Sequence, residues 1–208
     1  MAGNTIKLNL INQSNEINHS EVVVFQKNVA TTFDELSVAW RVIQNLGQGD
    51  HHPFTYSYDM SVSAQDSWGN FTPQLEAYPG QGFAMTNAPS GDVLSSSGPS
   101  SSVTEVQVSN QLSRGSINAN IYRDGKLLAA KTAIAPAQKA VFEFKPTIWI
   151  GVASDVSEGT VMNSAVISSV NTELSLLGIA SADIVWTGGG TGPNATPFNF
   201  TLQNVRMA

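Results

Sequence analysis

The sequence predicts an all-β fold, an antiparallel β-sandwich of the jelly-roll or immunoglobulin-like kind with one short helix at most. Short runs rich in β-branched and aromatic residues recur along the chain, and glycine, proline and asparagine separate them. The dipeptide Asp124-Gly125 stands between two such runs and is typical of a type I′ hairpin turn. No internal repeat or linker is visible in the 208 residues, so we expect a single domain over 1–208.

We expect the centre of the chain to form a meander, in which three or four antiparallel strands pair in sequence order. Two runs flank the Asp-Gly turn, Ile117 to Tyr122 and Lys126 to Thr132, and a proline-bearing turn over 134–138 follows them. Lys139 to Phe144 alternates in the way of a strand with one buried face. Thr147 to Val152 is mostly apolar, which is typical of a strand buried inside a sheet.

The first quarter of the chain holds one segment that suits two kinds of secondary structure. Thr32 to Gly47 repeats apolar residues at roughly helical spacing, and Thr32 and Glu35 are placed as a capping box. The part from Ser37 to Ile43 suits a strand equally well. Around this segment we predict strands over Thr5 to Leu10, Glu21 to Gln26 and Phe54 to Ala64, and a loop over Gly47 to Pro53.

The remaining segments are predicted as short strands joined by turns. Strands are expected over Gln74 to Tyr78, Gly82 to Thr86, Gly91 to Ser95, Val103 to Val108, Thr160 to Ser168 and Phe198 to Leu202, and Ala182 to Trp186 is mostly apolar. Asn171 to Gly178 suits either a short helix or a strand. Ser95 to Ser102 is predicted as an exposed loop because it is of low complexity. Gly188 to Pro197 lacks the lysine of a phosphate-binding loop and is predicted as a flexible hairpin loop.

The composition limits the partners that this protein can have. The formal net charge is −6, and no run of lysine or arginine occurs, which argues against nucleic acid. Only 12% of the residues are charged, about half of the roughly 25% that is usual. A weakly charged surface favours close packing against copies of the chain or against ligands. No signal peptide or membrane span is visible, so a cytoplasmic location is expected, with non-classical release left open, and a membrane partner is not expected.

The sequence Asp50-His51-His52 is the first candidate site, because these residue types bind Zn²⁺, Fe²⁺ or Ni²⁺. His19 or Glu76 could complete the set of ligands. The alternative interpretation is a polar loop tip, since adjacent residues of an extended chain point in opposite directions. The chain has no cysteine and no Gly-x-Ser-x-Gly motif, and we assign no catalytic residue and no cofactor.

The second candidate is a ligand-binding site around Trp68, which lies in a polar, turn-like sequence with Asp66 and Asn70. A tryptophan ring can stack on a sugar ring while carboxylates and amides bind its hydroxyl groups. Tyr78 and Glu76 follow closely in sequence and could join this site. The alternative is that Trp68 plugs one end of the sandwich. The other tryptophans, Trp40, Trp149 and Trp186, are predicted to be core residues.

Three segments resemble a group of small, uncharacterised microbial proteins of about this length. They are FQKNVATTFDELSVAWRVIQN (Phe25 to Asn45), FEFKPTIWIGVAS (Phe142 to Ser154) and VMNSAVISSVNTELSLLGIASADIVWTGGG (Val161 to Gly190). Some members carry the name aromatic ring-opening dioxygenase. Such an enzyme holds Fe²⁺ with two histidines and a carboxylate and uses a further base, usually histidine, whereas this chain has three histidines, two of them adjacent. The resemblance therefore implies a shared all-β fold and leaves the function open.

The sequence favours a non-enzymatic structural or interaction protein that self-associates through sandwich surfaces or edge strands. An unpaired edge strand can pair with another chain, and the product would be a closed oligomer or an open filament. The alternative function is a module that binds a carbohydrate or another small ligand through Trp68. A further alternative is a metal-dependent enzyme at Asp50, His51 and His52.

Overall fold

The computed structural model of this chain describes residues 5–30 and 37–208, and the predicted all-β fold is confirmed. The described residues form sixteen strands, one short helix, α1 (Ser164–Ser169), and one 3-10 turn (Gly192–Asn194). The chain divides into two compact units. The first unit contains the described residues 5–27, 37–58 and 146–208, and the second contains 28–30 and 59–145. The single domain that the sequence predicts stays a prediction.

The first unit consists of two four-stranded sheets. Its strands are β1 (Thr5–Asn12), β2 (Glu21–Phe25), β3 (Arg41–Ile43), β4 (His51–Ser57), β13 (Thr147–Ala153), β14 (Thr172–Ser175), β15 (Ile179–Gly189) and β16 (Thr196–Met207). The mixed sheet has the order β16-β15-β1-β4, and β1 and β15 are parallel in it. The antiparallel sheet has the order β14-β13-β2-β3.

Strand β2 is apolar on both faces because both faces of its sheet are covered. Val23 and Phe25 lie on one face, in a cluster completed by Ala39, Val156, Met162 and Val170, with residues of α1 packed against it. Val22 and Val24 lie on the opposite face and are equally buried. The run of four apolar residues thus replaces the alternation of a strand with one wet face.

The second unit also consists of two four-stranded sheets. Its strands are β5 (Met60–Gln65), β6 (Leu75–Ala77), β7 (Gln81–Ala88), β8 (Gly91–Pro99), β9 (Val106–Asn110), β10 (Ile117–Arg123), β11 (Lys126–Ile134) and β12 (Lys139–Phe142). The mixed sheet is β12-β9-β7-β8, with β7 and β9 parallel, and the antiparallel sheet is β11-β10-β5-β6. Asp124 and Gly125 join β10 to β11 with φ of 52° and 73°, the left-handed conformation that a type I′ turn requires.

The two units share one topology, which the sequence does not reveal. Each sheet of the first unit has a counterpart with the same strand order in the second unit. In this correspondence β1 to β4 match β9 to β12, and β13 to β16 match β5 to β8. The parallel pair matches as well, because β1 with β15 becomes β9 with β7. The chain is therefore a structural repeat of two eight-strand halves, in which each unit takes four strands from each half.

A buried asparagine occupies the same position in both units. Asn12 ends β1 and Asn110 ends β9, and each side-chain oxygen accepts a hydrogen bond from the backbone N–H two residues on. Asn12 Nδ2 donates to the Leu46 carbonyl at 2.7 Å, and Asn110 Nδ2 donates to the Ile134 carbonyl at 2.9 Å. The correspondence therefore extends from strand order to individual hydrogen bonds.

The predicted meander is wrong, although each of its strands exists. Only β10 and β11 pair with each other. Strand β12 pairs with β9 in the other sheet of the second unit, and β13 pairs with β2 and β14 in the first unit. Most strand pairs are antiparallel, as the predicted sandwich requires, and each unit also contains one parallel pair of strands.

Several segment predictions need correction. The predicted strand over 160–168 is replaced by α1, whose N-cap Asn163 accepts a hydrogen bond from the Val166 N–H. The predicted strand over 54–64 is two strands, β4 and β5, and each belongs to a different unit. The serine-rich stretch after residue 95 continues β8 as far as Pro99, and Gly188 and Gly189 end β15.

The segment with two interpretations is settled in part. Thr32 and Glu35 lie outside the described residues. Over 37–47 the chain forms the strand β3 and an isolated bridge between Val38 and Val161, so the strand is correct for that part. The segment 171–178, which suits a short helix or a strand by sequence, contains the strand β14. Within the described residues no helix combines the length and apolar character that crossing a membrane would take.

Candidate functional site

A tight turn between β5 and β6 presents Trp68 at one end of the second unit. The Asp66 carboxylate organises this turn, because its Oδ1 accepts hydrogen bonds of 2.8 Å from the N–H groups of both Trp68 and Asn70. Asn70 Nδ2 donates to the other carboxylate oxygen at 2.9 Å. The backbone closes the same loop, since the Asp66 N–H donates to the Asn70 carbonyl. The turn is thus fixed by its own polar groups.

These hydrogen bonds favour the ionised form of Asp66. The Asn70 side chain, followed by the backbone N–H groups of Asn70, Trp68 and Gly69, lowers the pKa of this carboxyl below its ordinary value. Asp66 therefore stays ionised at neutral and mildly acidic pH and keeps its acceptor role in the turn.

Trp68 itself has no packing role in the second unit, because 87% of its surface is exposed. The other tryptophans differ from it, as Trp40 and Trp186 are fully buried and Trp149 is half-buried against Phe25. The core assignments of Trp40 and Trp186 are confirmed. Trp68 is thus a large indole that an ordered turn holds in solvent.

Beside Trp68 lies an open cleft of about 620 Å³. Three loops at the same end of the unit form it: the β5–β6 turn, the β7–β8 hairpin and the β9–β10 loop. Its lining residues are Ser67, Trp68, Asn87, Asp92, Leu112, Ser113, Arg114 and Gly115. Asn87 Nδ2 donates to Asp92 Oδ1 at 2.9 Å, so these two side chains hold each other across the hairpin. The cleft thus combines an indole face, a guanidinium, a carboxylate, an amide and hydroxyls.

The β9–β10 loop lies close against the Trp68 turn. A Cβ atom placed on Gly115 would lie 3.1 Å from Ser67 Oγ, so the absence of a side chain there allows this approach. At the back of the loop Asn110 Nδ2 donates to the Gly115 carbonyl at 2.9 Å. This hydrogen bond therefore holds the β9–β10 loop, which lines the cleft, against the buried side chain of Asn110.

At the corresponding end of the first unit, the β1–β2 loop and the β15–β16 hairpin touch each other. The Asn15 N–H donates to the Gly188 carbonyl at 2.8 Å, which joins the β1–β2 loop directly to the β15–β16 hairpin. A Cβ on Gly189 would lie 2.6 Å from the Phe198 ring and 3.3 Å from backbone atoms of Asn15 and Glu16. The glycines of the β15–β16 hairpin therefore let it pack closely against the β1–β2 loop, and the cleft of about 250 Å³ at this end is lined instead by the β1–β2 and β3–β4 loops.

The structure brings only part of the predicted ligand site together. Trp68 lines the cleft, while Asp66 and Asn70 shape the turn that carries it. Tyr78 lies beyond the opposite end of β5, about 20 Å away by the rise of its six residues. There the Tyr78 hydroxyl donates to Glu76 at 3.1 Å, and this carboxylate raises the pKa of the phenol. Tyr78 and Glu76 thus form a separate pair on the surface.

The three predicted metal ligands do not converge. His51 and His52 are adjacent on β4, opposite Ile11 and Leu10 of β1, and adjacent strand residues point to opposite faces. The Asp50 carboxylate accepts a hydrogen bond from the Gly47 N–H. Asp50 and His19 share a cleft of about 250 Å³ with Glu16, yet no group of three or more histidine or acidic side chains in the described residues could hold a metal ion.

Sequence reasoning missed Arg114, Asp92 and Asn87. Asn87, Asp92 and Arg114 follow Trp68 by 19, 24 and 46 residues, and they lie in the β7–β8 hairpin and the β9–β10 loop. Their meeting depends on the pairing of β7 with β9, which carries no local signal. The nearest hint is Arg114-Gly115, a glycine turn with a lone cation in a chain of few charges.

Comparisons with protein-family models, with curated proteins and with solved structures found no match to this chain. The resemblance noted from the sequence stays a prediction.

Proposed function

We propose that this chain is a non-enzymatic carbohydrate-binding protein whose site is the Trp68 cleft of the second unit. One observation carries the proposal: Trp68 is 87% exposed on a turn locked by Asp66, and it borders a polar cleft of about 620 Å³. Clefts that hold small ligands measure roughly 300–1,000 Å³. The volume suits one or two sugar rings.

The chemistry of the lining favours a sugar over an apolar ligand. The indole of Trp68 supplies a flat apolar face for the C–H side of a pyranose ring. Arg114 offers several N–H donors in a fixed plane, and Asp92 offers acceptors to hydroxyl pairs. Among the described residues that line the cleft, Leu112 is the only one with an aliphatic side chain, and it is buried. The cleft therefore has too little apolar surface for a lipid-like molecule.

The arrangement supports binding rather than hydrolysis. Glycosidases mostly use two carboxyl groups on opposite sides of the scissile bond. Asp92 is the only carboxylate among the described residues that line this cleft, and Asn87 already occupies one of its oxygens. We keep with this proposal the expectations of no cofactor, no nucleic-acid partner and a cytoplasmic location.

The test begins with a screen of the intact protein on an array of neutral and acidic oligosaccharides. Calorimetry then gives the affinity for the best ligand. Because Trp68 is the most exposed tryptophan, stacking of a sugar should shift the emission of the protein to shorter wavelength. The proposal fails if no oligosaccharide binds.

The decisive variant is Trp68→Ala, which removes the stacking face without touching the core. We expect at least about a tenfold loss of affinity, equal to roughly 1.4 kcal/mol, since an exposed aromatic anchor dominates such a site. Tyr78→Ala is the matched control, because Tyr78 is also an exposed aromatic residue of the second unit but lies outside the cleft. Equal affinities of Trp68→Ala and the parent protein would refute the site.

A further inference from the structure

We infer that a second copy of this chain pairs with strand β16, edge to edge and antiparallel, with the two-fold axis at Phe200. Strand β16 is the outer strand of the mixed sheet in the first unit. Within the described residues no other strand pairs with its outer side. The carbohydrate-binding proposal concerns the second unit, so this inference stands independently of it.

Between its irregularities, the edge of β16 lacks the charged side chains and, within the described residues, the covering strand that often prevent pairing with another chain. Natural edge strands are kept apart by short length, by charged side chains or by a covering element. Strand β16 is 12 residues long, and Arg206 is its one charged residue. Ten of its residues are exposed, including Phe198 and Val205. Such an edge is a template for β-strand addition.

Two irregularities confine the usable part of this edge. Strand β16 pairs with β15 without interruption from Asn199 to Gln203, and register shifts lie on both sides of that stretch. On one side Asn204 has φ of 49°, and its Nδ2 donates to Asp183 Oδ2 at 2.7 Å, which fixes the bulge. A second strand can therefore pair with only about five residues, and this limits the registers that are open to it.

One register matches the side chains of the two copies. With Phe200 opposite its own copy, Phe198 lies opposite Leu202 of the second copy, and Asn199 lies opposite Thr201. Phe198 is 37% exposed and Leu202 half-buried, so this pairing covers apolar surface. Phe200 stays in the core of each copy, stacked on Trp186 with ring centroids 5.9 Å apart. A shift that places Phe198 opposite Asn204 would run the pairing into the bulge.

The charges do not oppose this contact. From Thr196 to Val205 the strand carries no charged residue, so no like charges face each other in the pairing. The equivalent edge of the second unit, β8, is poorer in β-forming residues, because Ser95, Ser96, Ser97, Gly98 and Pro99 make up more than half of it. The comparison favours β16 over β8, and it makes β8 a matched control.

The first experiment is a disulfide trap in a chain that has no cysteine of its own. The double variant Asn199→Cys/Thr201→Cys should give a covalent dimer on mild oxidation, since each cysteine then faces one in the second copy. Either single variant should give much less, because its cysteine faces Thr201 or Asn199 instead. The control is Val93→Cys/Ser95→Cys on β8, at the corresponding exposed positions, which should stay monomeric.

The second experiment measures association without a cross-link. Sedimentation velocity over a wide range of concentration should show a monomer–dimer equilibrium for the parent protein. Asn199→Lys/Thr201→Lys places lysines opposite each other and should raise the dissociation constant about tenfold or more. Asn199→Lys/Thr201→Glu, which pairs opposite charges across the same axis, should restore the dimer. Circular dichroism checks that each variant is folded.

A parent protein that is monomeric at every concentration would overturn the inference. An unchanged dissociation constant in Asn199→Lys/Thr201→Lys would overturn it too, and so would equally efficient cross-linking through β8. In either case the contact between the two copies would lie elsewhere.

Discussion

The two units have the same strand order, but the gap between one pair of corresponding loops is closed in the first unit and open in the second. In the first unit the β1–β2 loop reaches the β15–β16 hairpin and forms a bridge between Asn15 and Gly189. In the second unit the β9–β10 loop is shorter, and a cleft lies between it and the β7–β8 hairpin. The comparison teaches that the sheets provide a framework and the loops decide whether it carries a site.

Tryptophan is used differently at these two ends. Trp186 of β15 is fully buried, with Phe198 and Phe200 against its ring in the closed end. Trp68 of the second unit is turned out to solvent by a turn that Asp66 holds. The same kind of side chain is therefore part of the core in one unit and exposed to solvent in the other.

The largest loss of stability should follow from adding a side chain at Gly188, where the β15–β16 hairpin of the first unit is closely packed. A Cβ there would overlap the Pro197 carbonyl oxygen and lie 2.8 Å from its carbon, and the φ of 89° is unfavourable for alanine. Because backbone must move, we expect Gly188→Ala to lower the free energy of unfolding by about 3 kcal/mol or more. Urea denaturation measures it.

Gly91→Ala is the control for the open end. Gly91 starts β8 in the corresponding hairpin and has φ of 121°, but a Cβ there would meet nothing within 4 Å. Only the backbone conformation opposes alanine, so we expect a loss of about 1–2 kcal/mol. Equal losses for the two variants would contradict the close packing inferred at Gly188.

Replacing the buried asparagines Asn12 and Asn110 should cause the next largest loss of stability, and the loss should be equal in the two units. Asn110→Ala removes three hydrogen bonds, from Leu112 and to Gly115 and Ile134, and leaves their backbone groups without this partner. We expect Asn110→Ala and Asn12→Ala each to cost about 2–3 kcal/mol in urea unfolding. Asn118→Ala, on the surface side of β10, should cost less than about 1 kcal/mol. A large cost in one unit only would show that the turns are not equivalent.

The smallest effect concerns the Trp68 turn and its pH dependence. Since the folded-state pKa of Asp66 is lowered, the stability that its carboxylate gives the turn is complete above the unfolded-state pKa of about 3.9. It is lost as pH falls through the lower, folded-state pKa. Backbone amide signals of Trp68 and Asn70 in NMR spectra should therefore titrate below pH 3.9. In Asn70→Ala the midpoint should move up, because the Asn70 side chain is the largest cause of the shift; an unmoved midpoint would contradict this assignment.

Much of the fold follows from the sequence because strand formation and turns are local. The Asp124-Gly125 hairpin is correct, as positive φ is cheap for those two residues and for few others. The strands near Thr5, Glu21 and Thr147 begin within a residue of their predicted starts. The prediction fails for 160–168, where Asn163 caps a helix on a segment that reads equally well as a strand.

The candidate site was predictable only in its exposed anchor. Trp68 stands out because a tryptophan among polar turn residues has little to pack against. Arg114 and Asp92 carry no such signal, since their positions depend on which strands lie side by side. The grouping of Tyr78 with Trp68 fails for a related reason. The two residues are close in sequence, but they lie at opposite ends of the paired strands β5 and β6 and are therefore a strand's length apart.

By itself the sequence determined the all-β class, most strands and the key hairpin, because side-chain alternation and φ preferences act between neighbours in the chain. Only the tertiary structure decided the pairing. Strands β10 to β13 lie in three different sheets rather than in one meander, and each unit contains strands from both halves of the chain. These choices rest on burial of apolar faces between residues far apart in sequence, for which no short pattern exists. They also leave a cleft beside Trp68 and place β16 at the edge of its sheet.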